Sequence, residues 1–109
     1  MADFLGEFEQ LILFAVLQLG DDAYGVTVRE AIQSRTGRTI SAGAVYTTLE
    51  RLESRGFVSS WFGDPTPARG GRRKRHFRVE PDGRRALRRT YDGLQRMAHG
   101  VIVKLEPSR

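Results

Sequence analysis

Residues 41–55 are marked out as a helix by a serine at the front and a glycine, Gly56, directly behind. Ser41 can accept a hydrogen bond from an otherwise unpaired backbone N–H of the first turn. Gly56 can take the left-handed conformation that ends a helix. Within the segment Val45, Leu49 and Leu52 fall at i, i+4 and i+7, one apolar face. The opposite face is Gly43, Thr47, Glu50 and Ser54, flanked by Ala44, Tyr46 and Arg51. Apart from Tyr46, its N-terminal half is small or hydroxyl-bearing. Such a face suits plain solvent exposure. It also suits a helix lying close against another surface, such as the major groove of DNA. The neighbouring segments decide between the two.

Ahead of it, residues 23–34 predict a second helix with Tyr24, Val28, Ala31 and Ile32 inward. Gly20-Asp21-Asp22 breaks the preceding helix and offers that second helix an acidic N-cap. Gly37 is the expected C-cap, and residues 36–40 form a short turn into Ser41. Two helices joined this way make a helix-turn-helix, a weak signal alone. Behind it, residues 56–62 are β-branched and aromatic, and residues 75–79 alternate polar and apolar. Between them, Pro65 and Pro67 hold the chain extended and Gly70-Gly71 permits a turn. This predicts a hairpin with a long basic tip. Helix-turn-helix followed at once by a basic hairpin is far more specific than either part. The expected fold is mainly α with a small β-hairpin, a winged helix-turn-helix over residues 1–80.

The two ends raise the question of a second subunit. Residues 4–19 predict a first helix with Leu5, Phe8, Ile12, Ala15 or Val16 and Leu19 at helical spacing, widened by Leu11, Leu13, Phe14 and Leu17. A helix apolar nearly all round is buried on more than one side. It is therefore either the central core helix or one packed against a partner. Pro81 suits the first turn of a last helix. From there Leu87, Tyr91, Leu94, Ala98, Val101 and Leu105 alternate spacings of four and three, a heptad seam. Gly93 and Gly100 each weaken that helix by roughly 1 kcal/mol relative to alanine. Residues 81–109 are accordingly expected to be a C-terminal dimerisation helix. Its seam meets its own copy or Leu5, Phe8 and Ile12 on the first helix of the partner; the alternative is packing back on its own domain.

Composition narrows the function. The chain has 109 residues and no cysteine, which predicts one modest core with no disulfide and no thiolate site. His76 and His99 lie far apart and follow different periodicities, so no metal site is expected. No nucleophile constellation is present, so neither an enzyme nor a cofactor is expected. The longest apolar run, residues 11–17, is far short of the roughly 20 residues that span a bilayer. With no signal-peptide pattern, a cytoplasmic protein is expected. Net charge is +5. Ten basic residues between 69 and 89 face only Glu80 and Asp82, a local charge of +8, while the remainder is −3. That concentration points to a polyanionic partner.

The chain resembles the PadR-type winged helix-turn-helix transcriptional regulators, of the short kind with a single C-terminal helix. The likeness covers nearly the whole chain. It rests on Leu5-Gly6-Glu7-Phe8-Glu9-Gln10-Leu11, on Gly20-Asp21-Asp22-Ala23-Tyr24-Gly25, on Gly43-Ala44-Val45-Tyr46-Thr47-Thr48-Leu49-Glu50-Arg51-Leu52-Glu53 and on Gly70-Gly71-Arg72-Arg73-Lys74-Arg75. Many relatives carry proline where this chain has Thr47. The resemblance implies a homodimer clasped by the first and last helices, and repression of promoters carrying inverted repeats. Some relatives respond to small molecules near the dimer interface, and Phe8, Trp61 and Tyr91 would be candidates for such an effector here.

For double-stranded DNA the expected contacts divide in two. Ser41, Gly43, Ala44 and Thr47 are placed nearest the groove floor, with Thr47 or Thr48 meeting bases or a thymine methyl. Tyr46 either bonds a phosphate or packs on the wing. Arg51 reaches a phosphate or pairs with an acidic neighbour. Arg69, Arg72, Arg73, Lys74 and Arg75 are expected on phosphates, though not all at once, because strand residues alternate faces. Two other classes fit the same features: a winged helix binding RNA or nucleic acid without base readout, and a protein-interaction module.

Overall fold

The computed structural model describes residues 4–64 and 73–107. Its first helix, α1 (Glu7–Leu19), begins later than the periodicity suggested. The Leu5 N–H donates to Thr90 Oγ1 at 3.0 Å, which ties the start of the chain to the last helix instead. Glu7 and Glu9 sit in the first turn, where the helix dipole favours negative charge. The Glu9 carboxylate also accepts the Gly6 N–H at 2.9 Å. Ile12, Leu13, Ala15 and Val16 are buried, and α1 packs against the other three α-helices and the second strand of the hairpin. It is the central core helix of the fold, the first of the two sequence expectations.

The acidic N-cap expected from Asp21 and Asp22 does not form. Gly20–Asp22 is a separate 3-10 turn, and α2 (Gly25–Thr36) starts after it. The cap is supplied from inside the helix, where Thr27 Oγ1 accepts the Tyr24 N–H at 3.1 Å. Gly37, at φ +74°, closes α2 through its N–H to the Gln33 carbonyl.

The turn to α3 (Ala42–Ser54) is held from α2 by two side chains. Arg29 Nε donates to the Ile40 carbonyl at 2.7 Å, and Gln33 Oε1 accepts the Ile40 N–H at 3.1 Å. Ile40 itself is buried. Those bonds set the angle between the two helices. Ser41 caps α3 by accepting the Ala44 N–H at 3.1 Å, and Val45, Leu49 and Leu52 are fully buried. Each such aliphatic side chain contributes about 1.5–3 kcal/mol by leaving water. Gly56 takes φ +78° and turns the chain into the hairpin.

The hairpin pairs β1 (Val58–Phe62) with β2 (Arg75–Val79), antiparallel, Val58 opposite Val79 and Phe62 opposite Arg75. Val58, Phe77 and Val79 point into the core. The free edge of β2 is covered by the segment before α2. There the Phe77 N–H donates to the Ala23 carbonyl at 2.8 Å, and Tyr24 bridges His76. That covering satisfies backbone groups an open edge would leave exposed.

The last helix, α4 (Pro81–Ala98), has proline at its start as expected. It does not continue to Leu105. Gly100, at φ +80°, follows its end, and residues 102–105 form a short 3-10 turn. The heptad seam is thereby cut after Ala98, and Val101 and Leu105 do not extend it. Leu87 is already buried in the protomer core.

Candidate nucleic-acid interface

The apolar face of α3 is consumed by the core, so its other face must point outward. Ser41, Gly43, Ala44, Thr47 and Arg51 are all exposed. Around Gly43 nothing lies within 4 Å of where a Cβ would stand, so this part of the helix is open to a close neighbour. Thr48 differs. It is only 3% exposed and lies among the core positions, so its side chain cannot reach a base. The helical pitch explains this: Thr48 lies one turn after Ala44 but three residues after Val45, on the edge that rolls inward.

Tyr46 is 40% exposed. Its ring end lies over Gly25 at the start of α2, where a Cβ would overlap the hydroxyl, Cζ and Cε2. Sequence reasoning named Gly25 only within a longer stretch and gave it no role of its own. A glycine at a helix start gives no hint of what leans on it.

The basic residues differ in what their side chains meet. Arg73 and Lys74 are exposed at the base of the hairpin tip. Arg73 Nε donates to the Gly63 carbonyl at 3.0 Å. Lys74 Nζ sits 4.4 Å from the Tyr24 ring centroid and donates to its hydroxyl at 3.2 Å, a cation–π contact that leaves the ammonium at the surface. Arg75 was expected on phosphate, but it turns inward to Glu53, with Glu50 at 3.9 Å and Ser60 Oγ at 3.1 Å. Strand alternation is the cause: Arg75 shares the inner face with Phe77. Arg51 takes the ion-pair alternative, lying 3.5 Å from Glu9 on α1. Arg78 stacks over Trp61 at 4.7 Å. Arg69 and Arg72 lie outside the described residues.

The residues expected between subunits also divide. Leu5, Ile12 and Leu87 are buried in the core of the chain, with Leu87 at the edge of an open cleft. Phe8 is partly buried against the same core. Tyr91, Leu94, Val101 and Leu105 are exposed, and Ala98 is half-buried. Phe4, Met97, Ile102 and Val103, which were not singled out in the sequence, are exposed alongside them. Phe14 meets Tyr91 edge-on at 5.8 Å, and both line a cleft of about 490 Å³ with Leu17, Arg84, Leu87 and Arg88. Trp61 lines a smaller one of about 190 Å³ with Arg78 and Arg84. Trp61 also stacks on His76 at 5.3 Å, so it is part of the hairpin's own packing. Among the described residues there is no cluster of His, Asp and Glu that could hold a metal, and no helix long and apolar enough to cross a membrane.

Comparison with known proteins agrees with this geometry. Residues 13–89 match the model of the transcriptional regulator PadR-like family. A crystal structure of a PadR family transcription regulator from Clostridium difficile R20291 superposes with TM-score 0.74 at 22% identity, covering 93% of this chain and all of that one. A transcriptional regulator from Clostridium thermocellum gives TM-score 0.71 at 24% identity, covering 91% of this chain and 89% of that one. A PadR family regulator from Eggerthella lenta gives 0.66 at 26% identity, covering 94% and 88%. No protein of curated function matches the sequence. An outward helix face beside a basic hairpin, on a helix-turn-helix that the family model spans from α1 into α4, has one consistent meaning: this chain belongs to the PadR-like family of transcriptional regulators, DNA-binding proteins rather than enzymes.

Proposed function

We propose that the protein is a homodimeric, sequence-specific repressor that acts by occupying inverted-repeat operators in promoter DNA. The observation that carries this is the exposed small-residue face of α3, Ser41, Gly43, Ala44 and Thr47, set beside the basic hairpin base at Arg73 and Lys74. Small side chains let the helix backbone approach the floor of the major groove, and the cations supply affinity through phosphates. Base choice then lies in the first two turns of α3.

The second subunit is argued from α4. Tyr91, Leu94 and Met97 stay exposed on its C-terminal half, with Val101, Ile102, Val103 and Leu105 beyond it. An apolar surface of this extent on a small chain is normally covered, and a second copy covers it symmetrically. Residues 1–80 would then be the DNA-binding unit and residues 81–109 the dimerisation segment, in a cytoplasmic protein. Two α3 helices would meet half-sites about 34 Å apart. A small-molecule effector would sit against Tyr91 in the cleft beside α1.

A gel shift on the DNA upstream of the protein's own gene tests the reading. A discrete complex at salt concentrations where random duplex of equal length stays free is the expected result. Equal affinity for both duplexes overturns it.

A further inference from the structure

Glu53, Ser60 and Arg75 come from three different elements and close on one another. Ser60 Oγ on β1 donates to Glu53 Oε2 on α3 at 2.6 Å. Arg75 on β2 donates through its terminal nitrogen to Glu53 Oε1, and through Nε to Ser60 Oγ at 3.1 Å. Its guanidinium carbon lies 5.1 Å from the centroid of the Phe77 ring, which is fully buried. Both carboxylate oxygens of Glu53 are therefore used. The glutamate and arginine side chains are only about a third exposed, at 32% and 30%. Arg75 is also the first residue of β2, directly after Arg73 and Lys74. Fixing its guanidinium on α3 fixes the point from which those two cations leave the protein.

We propose that Glu53 is a positioning residue for DNA binding: its junction with Ser60 and Arg75 sets the direction of the basic hairpin relative to α3. This rests on the DNA-binding reading. The charge of Glu53 makes the claim unusual in sign. An acidic side chain on a DNA-facing helix repels phosphate, so its removal should tighten binding if it did nothing else. Arg75, in the same way, serves the junction rather than a phosphate.

Glu53→Ala tests both points, because alanine keeps the helix well formed. Affinity for upstream duplex should fall about tenfold, the scale of losing a charge-assisted hydrogen bond. Arg75→Gln should weaken binding by a similar factor. The double variant should be no weaker than Arg75→Gln alone, since both changes break one junction. Without DNA, hydrogen exchange at the Gly63 amide, which donates to the Lys74 carbonyl at 2.8 Å, should speed up in Glu53→Ala while α1 amides stay unchanged. Binding that is unchanged or tighter in Glu53→Ala, or effects of the two single changes that simply add, overturns the proposal. So does unaltered exchange at Gly63. Failure of the unaltered protein to bind DNA sinks the function and leaves the exchange measurement to judge the junction.

Discussion

The hydroxyl end of the Tyr46 ring lies over Gly25, closer than any side-chain carbon at that position would permit. Two consecutive helices thus meet through a ring and the absence of a side chain. α2 and α3 keep their angle partly because nothing stands between them at this point. Gly25→Ala should therefore cost about 1–3 kcal/mol of stability through overpacking. Tyr46→Ala in the same background should recover part of that loss, because the overlap is removed. Urea unfolding of the two single variants and the double one measures the coupling. Strict additivity would show that the ring does not rest on Gly25.

Thr47 and Thr48 are neighbours with opposite environments. Thr47 is exposed and Thr48 is 3% exposed. Thr47→Ala should leave stability within about 0.5 kcal/mol. It should lower the preference for the operator over a mismatched site by about 1 kcal/mol. Thr48→Ala should do the reverse, costing about 1 kcal/mol of stability for the removed methyl and hydroxyl with base preference unchanged. Thermal melts paired with competition gel shifts separate the two residues.

The exposed seam on α4 gives a contrast of the same kind. Leu94 is 61% exposed and Leu87 is 4% exposed. Leu94→Glu should yield a folded monomer in sedimentation, with circular dichroism like that of the unaltered protein. Leu87→Glu should instead fail to fold, since it buries an unpaired charge. A Leu94→Glu protein that sediments as a dimer moves the interface elsewhere on the molecule.

Salt dependence counts phosphates. Replacing Arg73 or Lys74 with alanine should reduce the slope of log affinity against log salt by about 0.9 for each phosphate no longer neutralised. Arg78→Ala should leave the slope unchanged, because that guanidinium lies over Trp61 in a cleft lined from α1 and α4 rather than from α3. Titrations at several salt concentrations read all three variants on one scale. A slope that falls in Arg78→Ala and holds in Lys74→Ala would reverse the assignment.

Local signals carried most of the architecture. Ser41 and Gly56 bound α3, Gly37 ends α2 and Pro81 opens α4, because caps and breakers act within a few residues of themselves. The alternation over residues 75–79 likewise predicted β2. The outward face of α3 was legible for the same reason. Once Val45, Leu49 and Leu52 were inward, helical pitch placed Gly43 and Thr47 outward.

Tertiary contacts decided what periodicity leaves open. Thr48 and Arg75 went inward because residues at the edge of a face follow whatever packs there, and here Glu53 stood ready to receive Arg75. Leu5, Ile12 and Leu87 met the heptad and helical spacing expected of an interface, yet the chain's own core buries them. An apolar residue carries no record of which surface will cover it. The heptad ran on to Leu105 in the sequence, but the helix stopped at Ala98, before a glycine whose left-handed backbone ends it. The sequence by itself determined the helices, the turn and the basic hairpin, since each rests on short-range chemistry. Only the folded structure assigned the charges, because an arginine's role depends on which carboxylate or ring lies within reach.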